Sequence, residues 1–273
     1  MKKRCLLAGM IMMLLFVTAC GTASKEDPAS AGQETKQTQG TDPAEKSSET
    51  EKVQEETTLE DLPDMTAAEV GTTITFGVYE QDNNTDNGKE EIEWLVLAKE
   101  DNRILVISKY ALDCIQYNTE YEKTTWETSS LREWLNGAFF EESFNAAEQS
   151  KIAKVTLEAD KNPDYDVDPG NSTEDRIFIL SMSEADRYFD SDDARMCEPS
   201  EYATEQGVLI GKRDDCTEWW LRTPGKQSDI AAYVTHFGGL NMYGMWVDGG
   251  VAEYEGVGHN SMALRPAMWI EVR

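Results

Sequence analysis

The stretch Thr217-Glu-Trp-Trp-Leu-Arg-Thr-Pro-Gly225 decides how the rest of the chain is read. It holds two adjacent tryptophans, an arginine and a Pro-Gly stop. As a β-strand its side chains alternate, so Trp219 and Leu221 face one side and Trp220 and Arg222 the other. In one reading, Trp220 and Arg222 form a sugar platform, an aromatic face beside a planar donor fork. In the other they are core, with Arg222 paired to a buried carboxylate or stacked on an aromatic ring, locking the strand end. The second is the more ordinary use of large planar residues before a Pro-Gly stop. Arg265, before Pro266, has the same two readings.

Toward the C-terminus, Ile230–Phe237 reads as a strand running into Gly238-Gly239. The segment from Gly238 to Gly250, GGLNMYGMWVDGG, and on to His259 mixes glycines and aromatics without a period. It reads either as loops displaying Asn241, Tyr243 and Trp246 to a ligand, or as a plain β-hairpin with a twisted edge. Leu264–Val272 closes the chain as a strand with Pro266 near its start, where a missing N–H is tolerated.

Toward the N-terminus, Ile74–Tyr79, Glu91–Ala98 and Arg103–Ser108 read as an antiparallel meander, with Ile92, Trp94 and Val96 on one face. The middle is helical. Ser130 with Glu133 makes a capping box, and Leu131, Trp134, Leu135, Ala138 and Phe139 recur at helix spacing. Gly137 weakens that run and allows two short helices. Further short helices are expected over Asn145–Val155, from Ser183 and Asp186 through Phe189, and over Glu198–Gln206 with Gly207 as the stop. Arg176–Leu180 reads as a buried strand. The class is α+β: one domain of mostly antiparallel strands with short helices.

Residues 1–19 read as a signal peptide: Lys2, Lys3 and Arg4, then an apolar run too short to span a bilayer. Val17-Thr18-Ala19-Cys20-Gly21 matches a lipobox, so Cys20 is expected to take a lipid and become the mature N-terminus. Residues 20–66 then form a disordered, acidic linker with too little apolar surface to fold. The globular domain is expected over 67–273. The predicted location is the extracytoplasmic face of the cell membrane, held there by the lipid.

The net charge is −27, and about three units more negative once the basic signal is removed. Such acidity repels phosphate backbones and argues against nucleic acid as a partner. Of five cysteines, Cys114, Cys197 and Cys216 belong to the domain, and Cys197 with Cys216 is the pairing expected if a disulfide forms. No CxxC, GxSxG, HExxH or phosphate-binding glycine loop occurs. Two acidic loops alternate oxygen side chains as calcium loops do: Asp82–Gly88, and Asp164-Tyr-Asp-Val-Asp168 with Asp175 farther on. In each the glycine falls one place late for an EF-hand, so calcium at Asp164, Asp166 and Asp168 competes with a solvated turn. Calcium is the single cofactor considered.

The order Trp219-Trp-Leu-Arg-Thr-Pro-Gly225, Ala231-Ala-Tyr-Val234 and Leu264-Arg-Pro-Ala-Met-Trp-Ile270 resembles an uncharacterised domain family of Gram-positive lipoproteins and surface proteins. Ile92–Leu97, Ser108–Cys114, Trp126–Asn136 and Leu180–Ala185 extend the resemblance over most of 70–273. The first and last of these motifs are also distantly similar to the C-type-lectin-like fold, shared by the formylglycine-generating enzymes. That likeness implies a lectin-like fold but no catalysis. The enzymes' copper-binding cysteine pair has no match here, because no cysteine follows Cys216.

These readings converge on a lipid-anchored surface module that recognises a glycan, peptide or envelope component through Asn241, Tyr243 and Trp246. The alternatives are an enzyme of unknown type on the same fold and a purely structural domain.

Overall fold

The computed structural model describes residues 58, 62–249 and 262–272. The signal segment, Cys20, the linker up to residue 57 and His259 lie outside the described residues. Two five-stranded sheets carry the domain, in the orders β1-β2-β3-β12-β7 and β10-β9-β8-β11-β4, beside a two-stranded β5-β6 pair.

The first sheet begins as the expected meander: β1 (Thr73–Tyr79), β2 (Glu90–Lys99) and β3 (Arg103–Ser108). Ile92, Trp94 and Val96 all point inward, and Trp94 Nε1 donates to the Phe76 carbonyl at 2.6 Å. Leu97 is buried as well, because the β2–β3 register shifts between Val96 and Ala98 and a bulge brings an extra residue inward. The packed chain begins slightly before residue 67, with Met65 already in the core.

The helical middle departs from expectation. α1 (Ser130–Trp134) runs through a π turn (Leu135–Phe139) into α2 (Phe140–Ser143) without a break at Gly137. Its cap is Ser129, not Ser130: Ser129 has the extended backbone an N-cap needs and accepts from Arg132 N. The π turn presents Asn136, whose Oδ1 accepts from Arg176 N at 2.8 Å and whose Nδ2 donates to Ile177 O at 2.8 Å. That clip shortens the expected 176–180 strand to β7 (Ile177–Phe178). α3 (Ala146–Lys151) carries a full capping box from Asn145 and Glu148. β5 (Val155–Leu157) and β6 (Thr173–Asp175) follow. In α4 (Met182–Tyr188) the cap is Ser181, paired with Glu184, rather than Ser183. α5 (Asp192–Arg195) and α6 (Glu201–Glu205) complete the helices, and Gly207 follows α6 at φ +108 as the expected stop.

In the second sheet, β8 (Trp219–Pro224) lies between β9 (Ile230–Val234) and β11 (Ala263–Leu264). β4 (Asp113–Cys114) and β10 (Leu240–Trp246) form its two edges. The expected terminal strand is two strands. β11 lies in the second sheet, while β12 (Ala267–Glu271) sits in the first, paired to both β3 and β7. The switch falls at Arg265-Pro266, where proline has no N–H to leave unpaired. One closing segment therefore fastens both sheets.

Candidate functional site

Every residue of β8 is buried. Trp220 is 0% exposed and its Nε1 donates to Ile115 O at 2.8 Å; Trp219 Nε1 donates to Arg195 O at 3.1 Å. Arg222 forms a two-pronged ion pair with Glu184, the second arm at 2.8 Å, and donates to Ile179 O at 3.1 Å. Its guanidinium also lies 5.9 Å from the Phe178 ring centroid. Trp220 and Arg222 therefore offer no face to a sugar. The alternation was legible in the sequence, but both faces of this strand are covered. Arg265 behaves likewise: buried, 5.1 Å from the Trp219 ring, with Nε donating to Ser108 O at 2.9 Å. Burial lowers its pKa.

The glycine of the opening stretch has a different task. Gly225 packs against Gly244 of β10, and a Cβ at Gly225 would lie 2.8 Å from Tyr243 O. Gly244 has φ +87 and would meet Ala231 O at 2.6 Å. Between Asn241 and Met245 the β9–β10 register shifts, so β10 bulges. Asn241 holds this bulge, accepting from Gly244 N at 3.1 Å and donating to the Tyr233 hydroxyl at 2.9 Å. Its polar groups are thus engaged within the hairpin.

The bulge and the turn after Gly225 display two aromatic pairs. Tyr243, 53% exposed, meets Tyr165 edge-on at 6.4 Å, and the Lys226 ammonium sits on its ring. Trp246, half-buried, meets Tyr121 edge-on at 5.3 Å. Lys226 N donates to Tyr243 O at 3.0 Å, and the Tyr121 hydroxyl donates to Asp229 at 2.9 Å. The 226–229 turn therefore carries Lys226 and Asp229 between the two pairs. Of the sequence-derived residues, Tyr243 and Trp246 share this surface. Tyr121, Tyr165, Lys226 and Asp229 were missed, since two of them come from loops far away in sequence.

Asp164, Asp166 and Asp168 are not among the described carboxylates whose oxygens gather within 4.8 Å of one another. Exposure alternates along 164–168, spreading the aspartates over the solvent side while Tyr165 and Val167 turn inward. Asp168 accepts from Gly170 N at 3.0 Å. Asp175 is taken by protein donors, accepting from Trp126 Nε1 at 2.9 Å and Arg132 Nε at 2.7 Å. Among the described residues, the carboxylates that do gather are Glu80, Asp82 and Glu90, with ligand atoms within 4.8 Å of one another. Asp82 belongs to the other acidic loop, Glu80 directly follows β1, and Glu90 opens β2. Cys197 and Cys216 are separate thiols rather than the expected disulfide. Burial raises both, Cys216 to about 11.

A second region was not anticipated. A cavity of about 390 Å³ opens between the 209–213 segment and the end of β9. Leu209, Ile210 and Phe237 form an exposed apolar rim; Lys212, Arg213 and Glu218 bring both signs of charge. Asp214 holds His236 through Nδ1 at 3.2 Å. Gly211 packs so closely on this pair that any Cβ would strike both side chains. Burial raises the Glu218 pKa, and His236 partly opposes the rise. His236, one of only two histidines and next to Phe237, was the available signal.

A family of domains of unknown function, DUF6273, matches residues 101–272. The chain belongs to that family. The DUF6273 match takes in both sheets' closing strands, the aromatic pairs and the cavity, but begins after β1 and β2. No curated protein and no solved structure matches the chain.

Proposed function

We propose that the domain is a non-catalytic recognition module, and that its ligand is a glycan bound across the β10 edge. The observation that carries this reading is the display of two aromatic pairs, Tyr243–Tyr165 and Trp246–Tyr121, on either side of the polar 226–229 turn. Sugar rings present apolar C–H faces ringed by hydroxyls, so aromatic faces with nearby donors and acceptors suit them. A signal peptide over 1–19, a lipid on Cys20 and a spacer up to residue 66 would hold the module at the extracytoplasmic membrane face. The lectin-like reading of the fold belongs here too. It is supported by a C-terminal strand, β12, that returns to the N-terminal sheet and lies inside it, between β3 and β7.

The test is a glycan-array and cell-wall-fragment screen on residues 54–273, the compact unit that carries both sheets, with and without calcium. Saturable binding that Trp246→Ala abolishes without unfolding supports the reading. Silence across the array points instead to a protein ligand or a structural role. Calcium dependence would be traced to Glu80, Asp82 and Glu90, the one group of described carboxylates close enough to share an ion.

A further inference from the structure

The cavity beside His236 is unlike the aromatic edge, and its chemistry is independent of the glycan reading. Its acidic and basic side chains form no ion pair with one another among the described residues, and His236 is the charged neighbour that Glu218 feels. Glu218 has no hydrogen bond or ion pair to its carboxylate among the described residues, although it is half-buried and one residue from Trp219. Lys212 and Arg213 line the same cavity, and neither pairs with a described carboxylate. A flexible lysine or arginine free to reach a half-buried carboxylate would ordinarily close on it. Glu218, Lys212 and Arg213 all line the cavity, and no ion pair among the described residues joins them.

The void has an apolar wall. Leu209, Ile210 and Phe237 are 54%, 41% and 56% exposed, a cluster of large apolar side chains facing water around one opening. Its volume, about 390 Å³, falls within the range of roughly 300–1,000 Å³ seen for small-molecule sites. The polar groups beside it are tied to one another. Asp214 fixes the His236 ring through Nδ1, Gly211 packs against both, and Gly211 N donates to Cys216 O at 2.8 Å. His236 Nε2 has no partner among the described residues.

We propose that this cavity binds a small apolar zwitterion: a free aliphatic amino acid, or a short aliphatic peptide with free ends. Its ammonium pairs with Glu218, its carboxylate lies toward Arg213 and Lys212, and its side chain covers Leu209, Ile210 and Phe237. A ligand of one charge satisfies only one sign of the lining charge. A zwitterion supplies both partners and the apolar contact together.

Saturation-transfer NMR and calorimetry on the full chain test this. The probes are L-leucine, dileucine and trileucine, set against 4-methylpentanoate, which lacks the ammonium, and 3-methylbutylamine, which lacks the carboxylate. At least one zwitterion is expected to bind saturably, about tenfold or more tighter than either single-charge analogue, as fits the loss of one charged hydrogen bond. Glu218→Gln, which keeps shape, should weaken the zwitterion about tenfold while leaving 4-methylpentanoate unchanged. A double Lys212→Ala, Arg213→Ala variant, exposed on the surface, should weaken the zwitterion and 4-methylpentanoate while sparing 3-methylbutylamine. No binding by any zwitterion at millimolar concentration overturns the proposal. So does equal binding by a single-charge analogue, or zwitterion binding untouched by both variants. None of these results bears on the glycan screen, which reads a different surface.

Discussion

β8 and β10 lie in the same sheet, separated only by β9, and both carry aromatics and a glycine-marked turn. Their fates are opposite. β8 is flanked by strands on both sides and covered on both faces, so its tryptophans and Arg222 spend their polar atoms on the interior. β10 is an edge, its residues are half-buried or exposed, and its aromatics meet rings from loops rather than core. The same residue types build scaffold in one place and surface in the other. What separates them is position in the sheet, which fixes how much water each side chain keeps.

The sharpest way to break this comparison is to attack the scaffold. Arg222→Ala strands Glu184 without its guanidinium, and removing one partner of a buried pair costs about 3–5 kcal/mol. Urea denaturation should register that loss, with ligand binding failing only in proportion to unfolding. A loss below 1 kcal/mol would mean that the pair is solvated and β8 is less of a scaffold than its burial implies.

Gly244→Ala probes the junction of the two strands. It forces an alanine to a positive φ and drives its Cβ toward Ala231 O, so a cost of about 1–3 kcal/mol is expected. The bulge carries Tyr243, so stability and glycan binding should fall together. Tyr243→Ala separates them. An exposed ring contributes little to the fold, so stability should hold within about 0.5 kcal/mol. Glycan affinity should fall about tenfold, the worth of one aromatic contact. If stability falls instead, the β10 aromatics are scaffold as well and the contrast fails.

The smallest effect is a pH dependence at Glu218. Burial raises its folded-state pKa, so the folded protein holds that proton more tightly than the unfolded chain does. Stability is therefore lost as pH rises from the ordinary carboxyl range through the raised value. Glu218→Gln removes the ionisation. Its melting temperature should exceed the parent's modestly at neutral pH, with the advantage disappearing below both values. An advantage that does not change with pH would mean that Glu218 titrates as an ordinary surface carboxylate.

In the first sheet β2 was legible because its alternation is clean and its other face is only half-covered: Ile92, Trp94 and Val96 could be assigned inward from sequence alone. The alternation in β8 was equally clean, but a single sequence does not say whether the second face is covered. That left Trp220 and Arg222 between two roles. The helix starts slipped by one or two positions, to Ser129 and Ser181, where neighbouring serines compete and only backbone angles choose the cap. Glu184 was also hidden. It completes the cap of α4 and pairs with Arg222, and only the fold brings its helix to β8. The cavity was illegible for the same reason, because only the fold brings His236, its partner Asp214 and Glu218 to one opening, and no motif marks them.

The switch of the closing segment between sheets at Arg265-Pro266 has a consequence in time. β1, β2 and β3 pair locally and need nothing later in the chain to form a meander. The position beside β3 stays vacant until residues 267–271 arrive, and β8 lacks its parallel neighbour until residues 263–264 arrive. Contacts that distant along the chain form slowly, and an open apolar sheet edge invites wrong pairing in the interval. Completion of both sheets therefore depends on residues 263–271. A chain cut before residue 262 should yield no partly working half, only a collapsed intermediate open to proteases.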